Sequence, residues 1–214
     1  VERPQIVIDR VAAAQLWHGK GPDNSSGNNT ASSSTDSKDG GNDLNATLFE
    51  QARSQLNNAA CWQLRSLPPK DTTLTHMAFE VELKDEMKDG GPGGPYREFF
   101  ASVAQELQTG LGGLELLIPT PNYLDAQRTG NHVEANRAYA LNPAASSPAH
   151  LRQYEFLGIL IGCALRTHVL MPFNLPNTVW RFLVGLPLRR IDLLQVDKRV
   201  YDTLNSIATC THAQ

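Results

Sequence analysis

The residues best equipped for chemistry are the cysteines and whatever stands beside them. Cys210 lies in Thr209-Cys210-Thr211-His212, two residues from an imidazole. A thiol becomes a nucleophile when a base or cation lowers its pKa, and a histidine is the right kind of neighbour. Residues so close along one strand or helix seldom face each other, however, and a chain end makes a poor site. Cys163 falls inside the apolar run Phe156–Leu165, with no basic neighbour anticipated, and reads as a small hydrophobe. Cys61 precedes Trp62 in a semi-apolar, strand-like stretch and reads as structural. There is no C-x-x-C pair, and the six histidines show no zinc-ligand spacing. Neither a disulfide framework nor a metal site is expected. Free thiols suit a reducing compartment.

The tract Lys84-Asp85-Glu86-Met87-Lys88-Asp89-Gly90-Gly91-Pro92-Gly93-Gly94-Pro95 invites two further readings. A phosphate loop needs a Gly-Lys-Ser/Thr ending, which is missing. A calcium loop needs a twelve-residue ligand spacing, which Asp85, Glu86 and Asp89 do not supply. A solvated, acidic loop is the simpler reading. The expectation is therefore no catalytic, cofactor-binding or metal-ligating residue in this chain.

Composition narrows the partners. Nineteen basic and 22 acidic residues leave a net charge of −3, which gives no electrostatic footprint for nucleic acid and no polybasic membrane patch. The most apolar run, 156–165, is half the length of about 20 residues that a bilayer span requires. Residue 1 is Val, with no charged-then-apolar leader behind it, so the chain reads as an excised segment whose start says nothing of targeting. From Gly21 to Asp43, 20 of 23 residues are Gly, Ser, Asn, Asp or Thr. Such a stretch buries too little to offset its ordering entropy, so a disordered insertion in a surface loop is expected over 21–43. Asn24, Asn28 and Asn45 begin glycosylation triplets, which so Asn- and Ser-rich a region produces by chance.

The remaining chain must supply the scaffold. Ile6-Val7-Ile8 is a β-branched run, and Asp43 is placed to cap a helix carrying Leu44, Leu48, Phe49, Ala52 and Leu56. Met77, Phe79, Val81 and Leu83 alternate with Ala78, Glu80 and Glu82, predicting a strand with one wet face. Pro95 marks a helix start. Tyr96, Phe99, Phe100, Val103, Ala104 and Leu107 then keep one helical face, and Gly110 supplies the stop. Leu114 to Ile118 reads as extended. Ser147-Pro148 opens a helix to about His168, apolar all round from Phe156 to Leu165 and thus expected to be central and buried, with Gly158 and Gly162 leaving a groove for close packing. Further helices are expected over Asn174–Gly185, with Val179, Trp180, Leu183 and Val184 inward, and from Asp197, carrying Val200, Leu204 and Ile207. The fold class is α+β, mainly helical, with short strands and a buried central helix.

A series of motifs in order goes further. Gly93-Gly94-Pro95-Tyr96-Arg97-Glu98-Phe99-Phe100 resembles the glycine-Arg-Glu signature that opens a main helix in HECT-type ubiquitin ligase domains. Leu117-Ile118-Pro119-Thr120-Pro121-Asn122 and Tyr139-Ala140-Leu141-Asn142-Pro143 resemble two later steps. Residues Tyr154 to Arg166 resemble the family's Y-x-F-L-G-x-x-I-G-x-A-x-R helix. Pro172-Phe173, Val179 to Gly185, Pro187-Leu188, Asp192-Leu193 and Tyr201 to Leu204 continue the likeness, which covers roughly residues 77–207. The Gly-Gly-Pro-Tyr-Arg spelling is most similar to the very large HERC-like branch. The 21–43 insertion and the doubled Gly-Gly-Pro depart from the pattern.

The resemblance implies a HECT N-lobe-like fold and a role in passing ubiquitin from a conjugating enzyme, through a cysteine thioester, to substrate lysines. It implies that 1–20 begins the N-lobe and that 44–214 forms its main part. The chain would then stop short of both the conjugating-enzyme-docking subdomain and the catalytic C-lobe. Thr209-Cys210 imitates the family's Thr-Cys pair, but Thr211-His212-Ala213-Gln214 does not continue like that motif, so Cys210 is not taken as the catalytic cysteine. Arg97, Glu98 and Arg166 are expected to form structural ion pairs. The implied partners are the conjugating enzyme and ubiquitin, through the full domain, and the implied location is cytoplasmic or nuclear. The competing reading is a non-catalytic interaction module that keeps the lobe's shape.

Overall fold

The computed structural model of the chain describes residues 4–18, 44–56, 64, 76–84, 93–130 and 138–210. The anticipated insertion over 21–43, Cys61, the acidic loop residues Asp85, Glu86 and Asp89, and His212 lie outside them. Two units divide the chain, one formed by Val1–Leu114 with Arg152–Met171, the other by Glu115–Leu151 with Pro172–Gln214.

In the first unit, strand β1 (Gln5–Ile8) pairs in parallel with β2 (Glu80–Leu83), Ile6 opposite Val81 and Ile8 opposite Leu83. Ile6 and Ile8 are buried while Gln5 and Val7 are exposed, the period-two signature of a strand with one covered face. A parallel pair needs a long crossover. Helices α1 (Arg10–His18) and α2 (Leu48–Leu56) lie within it. Side chains of α2 also occupy the other edge of β1. Val7 N–H donates to Gln55 Oε1 at 2.9 Å, Gln55 Nε2 donates to Val7 O at 2.8 Å, and Asp9 N–H donates to Gln51 Oε1 at 2.7 Å. An edge that would otherwise present unpaired backbone is thus closed by glutamines.

The expected strand over 77–83 is shorter than its alternation suggests. Met77, Ala78 and Phe79 are all buried, so the wet face begins only at Glu80. Aromatic packing is the reason. Phe79 meets Tyr96 and Phe99 edge-on at 5.0 and 5.8 Å, and Phe100 lies 5.0 Å from Tyr96. These rings come from α3 (Gly94–Thr109), which starts with Pro95 in its first turn and ends at Gly110 in the left-handed conformation (φ 63°). Both ends follow from sequence chemistry: proline pre-sets the first turn, and glycine adopts positive φ without strain.

Helix α5 (Pro148–Thr167) has the anticipated bounds but not the anticipated burial. Phe156, Leu157, Leu160, Cys163 and Ala164 are buried, and Phe156 packs edge-on against Phe49 of α2 at 5.3 Å. Leu151 and Leu165 stand 58% and 72% exposed on the remaining surface. Among the described residues, only Leu64 from outside α5 lines the groove expected to receive another element. A Cβ at Gly158 would meet nothing within 4 Å, and one at Gly162 would meet only the Arg166 guanidinium. α5 ends at His168 with φ 55°, where Val169 N–H donates to Ala164 O at 3.0 Å. That is the Schellman closure, made here without glycine.

In the second unit, β3 (Leu117–Pro119) pairs antiparallel with β4 (Tyr139–Leu141), and α4 (Pro121–Thr129) follows β3 with Thr120 as its N-cap. Helix α6 (Asn177–Leu183), a 3₁₀ segment over Arg190–Gln195 and α7 (Lys198–Cys210) follow among the described residues. Here the apolar pattern correctly predicted the helices, while the inward orientation expected of it is not found. α6 and α7 contain no buried residue, and Leu183 and Val184 are 58% and 68% exposed.

Candidate functional site

Three places in the described residues gather polar or reactive groups. The first is the root of α2. Its N-terminal donors are satisfied by Thr47, whose Oγ1 accepts from Glu50 N–H at 3.2 Å, and by Glu106 of α3. Glu106 accepts from Leu48 N–H at 2.9 Å and from Phe49 N–H at 3.1 Å. Asp43, expected as the cap, is outside the described residues. A short 3₁₀ turn over Leu44–Ala46 precedes Thr47, so the helix starts one turn later than the pattern suggested. Glu106 is 1% exposed, and burial pushes its carboxyl up to about 7 against the pull of the two amides. Alongside it, buried Glu50 is held by Arg53 at 2.7 Å and by Gln153 of α5 at 2.7 Å.

The second is the α3–α5 contact. Tyr96 Oη accepts from Ala78 N–H at 3.2 Å and sits 3.4 Å from Thr167 Oγ1, which itself donates to Cys163 O at 2.8 Å. Burial raises the phenol's pKa, which keeps it neutral and protonated. Cys163 is fully buried. It does have a cationic neighbour, contrary to expectation: Arg166 Nη2 is 3.7 Å from Cys163 Sγ, one helical turn on. The i,i+3 spacing could have revealed this pairing. With no exposed surface, the thiol has no access to a macromolecular substrate. Of the expected structural ion pairs, Glu98 forms one, with Arg10 at 2.7 Å, while Arg97 is exposed.

The third is the α6–α7 region. Asp192, 3% exposed, accepts from Arg181 Nε at 3.1 Å and Arg189 Nη2 at 3.1 Å, and these contacts hold its carboxyl below the ordinary range, Arg189 foremost. Asn122 of α4 binds both sides of the following turn. Its Nδ2 donates to Leu194 O at 2.8 Å, and its Oδ1 accepts from Lys198 N–H at 2.8 Å. Around this polar framework Phe182, Leu186 and Leu188 are 50–73% exposed, and Val200, Leu204 and Ile207 leave one stripe of α7 42–57% exposed. Cys210 ends α7 in an exposed position. Among the described residues no group of three or more His, Cys, Asp or Glu is placed to hold a metal ion. No helix there is long and apolar enough to cross a membrane. What the geometry supplies is buried polar ties in both units and an apolar surface on the second.

Residues 114–214 match the model of the HECT-domain (ubiquitin-transferase) family. E3 ubiquitin-protein ligase HERC2 of Mus musculus is 40% identical over 139 residues, 64% of this chain and 3% of that protein, and its Homo sapiens counterpart gives the same figures. The probable E3 ubiquitin-protein ligase HECTD4 of Homo sapiens is 32% identical over 158 residues, 73% of this chain and 4% of that protein. The matched stretch, residues 114–214, belongs to the HECT-domain family. Among the chain's relatives are the HERC2 and HECTD4 ligases, of whose length it spans about 3–4%.

Proposed function

We propose that this chain is the scaffold part of a HECT-type E3 ubiquitin ligase, serving a transfer whose thioester-forming cysteine lies elsewhere in the parent protein. The 40% identity to HERC2 over 139 residues carries the reading. The geometry supports it through ties that fix elements in place, such as Asp192 between Arg181 and Arg189 and Asn122 across the turn before α7. Positioning is a sufficient contribution: holding two reacting centres at the right approach is worth about 7–11 kcal/mol of barrier, provided that the holder is rigid. In this proposal 1–20 begins the larger lobe, 44–214 forms its main part, 21–43 is a disordered insertion, and the partners are a conjugating enzyme and ubiquitin in a cytoplasmic or nuclear setting.

The test is made on the parent polypeptide. Incubated with ubiquitin-charged conjugating enzyme, it should form a ubiquitin adduct cleaved by thiol reductant, and Cys210→Ser should leave that adduct in place. A parent that forms none would favour the interaction module. An adduct lost in Cys210→Ser would place the nucleophile in this chain and overturn the proposal.

A further inference from the structure

The first turn of α2 is held from outside its own helix. Two of the amides that a helix start leaves unpaired, those of Leu48 and Phe49, converge on the two oxygens of one carboxylate, that of Glu106 in α3. Glu106 is almost wholly buried. The charged groups nearby are engaged with one another. From α1, Arg10 is paired with Glu98 at 2.7 Å; from α2, Glu50 is paired with Arg53 at 2.7 Å. The flanking 3₁₀ segments Leu44–Ala46 and Leu111–Gly113 carry no ionisable side chain. A cavity of about 180 Å³ adjoins the carboxyl, with Arg10, Ala13, Ala14, Ser102, Gln105 and Leu48 in its wall. It is roomy enough for water, and so for a proton to arrive.

We propose that Glu106 is a proton-operated latch between α2 and α3, holding both amides as a carboxylate and only one as an acid, so that protonation frees the first turn of α2 toward this cavity. The chemistry is a matter of acceptor count. A carboxylate offers both oxygens to N–H donors, whereas the acid turns one oxygen into a hydroxyl whose own proton faces an amide proton. The proton comes from water, and no bond other than O–H is made or broken. Because burial raises the carboxyl to about 7, the change falls near neutrality. The latch is a property of the first unit and does not depend on the ligase reading.

The test is amide hydrogen exchange by NMR on the full 214-residue chain between pH 5.5 and 8.5, with each rate corrected for its intrinsic pH dependence. The expected result is that Leu48 or Phe49 loses about tenfold protection as pH falls, the equivalent of about 1.4 kcal/mol and one hydrogen bond. The midpoint should coincide with that of the Glu106 side-chain carboxyl ¹³C shift, and Glu106→Gln should abolish the pH dependence. Protection that stays constant with pH, or that changes apart from the Glu106 titration, overturns the proposal. Should Glu106→Gln fail to fold, the two wild-type titrations decide alone.

Discussion

The burial of Glu106 has a global consequence with a definite sign. An exposed glutamate titrates near 4.5, and this one near 7, so the folded state binds its proton more tightly than the unfolded chain does. The stabilisation from that proton is fully present below pH 4.5, declines as pH rises, and is gone above about pH 7. A difference of about 2.5 units, at 1.36 kcal/mol each, corresponds to about 3 kcal/mol. Asp9 and Asp192 act in the opposite sense, because their carboxyls are lowered, the first mainly by the Ala12 amide and the second by Arg189. Their contributions are lost only below about pH 4, so a comparison of pH 5 with pH 8 leaves both aspartates out of the difference. Urea unfolding at those two values should show wild type less stable at pH 8 by about 2–3 kcal/mol. Glu106→Gln, which carries no proton to lose, should be nearly flat between them. Equal slopes for the two proteins would refute the reasoning, since the pH dependence would then originate elsewhere. Local and global effects oppose each other: acid loosens one amide of the first turn of α2 while the whole fold gains stability.

Other perturbations follow from the packing. Phe100→Ala, at a fully buried ring contacting Tyr96, Phe79 and Phe99, should lower unfolding free energy by about 3–5 kcal/mol in a denaturant titration. Gly158→Ala should instead stabilise by about 1 kcal/mol, since it adds helix propensity at an open position, and a lower melting temperature would show that something packs there. His168→Gly should relieve positive φ and raise stability by about 1 kcal/mol in the same melts. Asn122→Ala removes ties to Leu194 and Lys198 and should cost about 1–3 kcal/mol, with amide exchange rising first at Lys198.

The parts of the fold legible in the sequence are those decided locally. Pro95 and Gly110 bracket α3 because φ preferences act within a residue or two. Ser147-Pro148 likewise begins α5, whose Ser147 Oγ accepts from His150 N–H at 3.3 Å. Partners distant in sequence were not legible. Nothing in Leu48-Phe49 announces a carboxylate 58 residues away, and Gln51 and Gln55 closing the β1 edge look like ordinary exposed-face residues. α1 and α4 were missed because both are nine-residue helices, and Ala12-Ala13-Ala14 in the first and the few apolar residues of the second (Tyr123, Leu124 and Ala126) give little apolar periodicity. Apolar content misled at α5 and α6, where large side chains remain exposed. Periodicity reports which residues share a face, not whether that face is covered. Recognition of the family came from motif order, a signal independent of burial.

The scaffold role is tested most directly by mixing the isolated 214-residue chain with ubiquitin-charged conjugating enzyme and resolving the products without reductant. No reducible ubiquitin adduct on the chain is the predicted result. A thioester on Cys210 would contradict it.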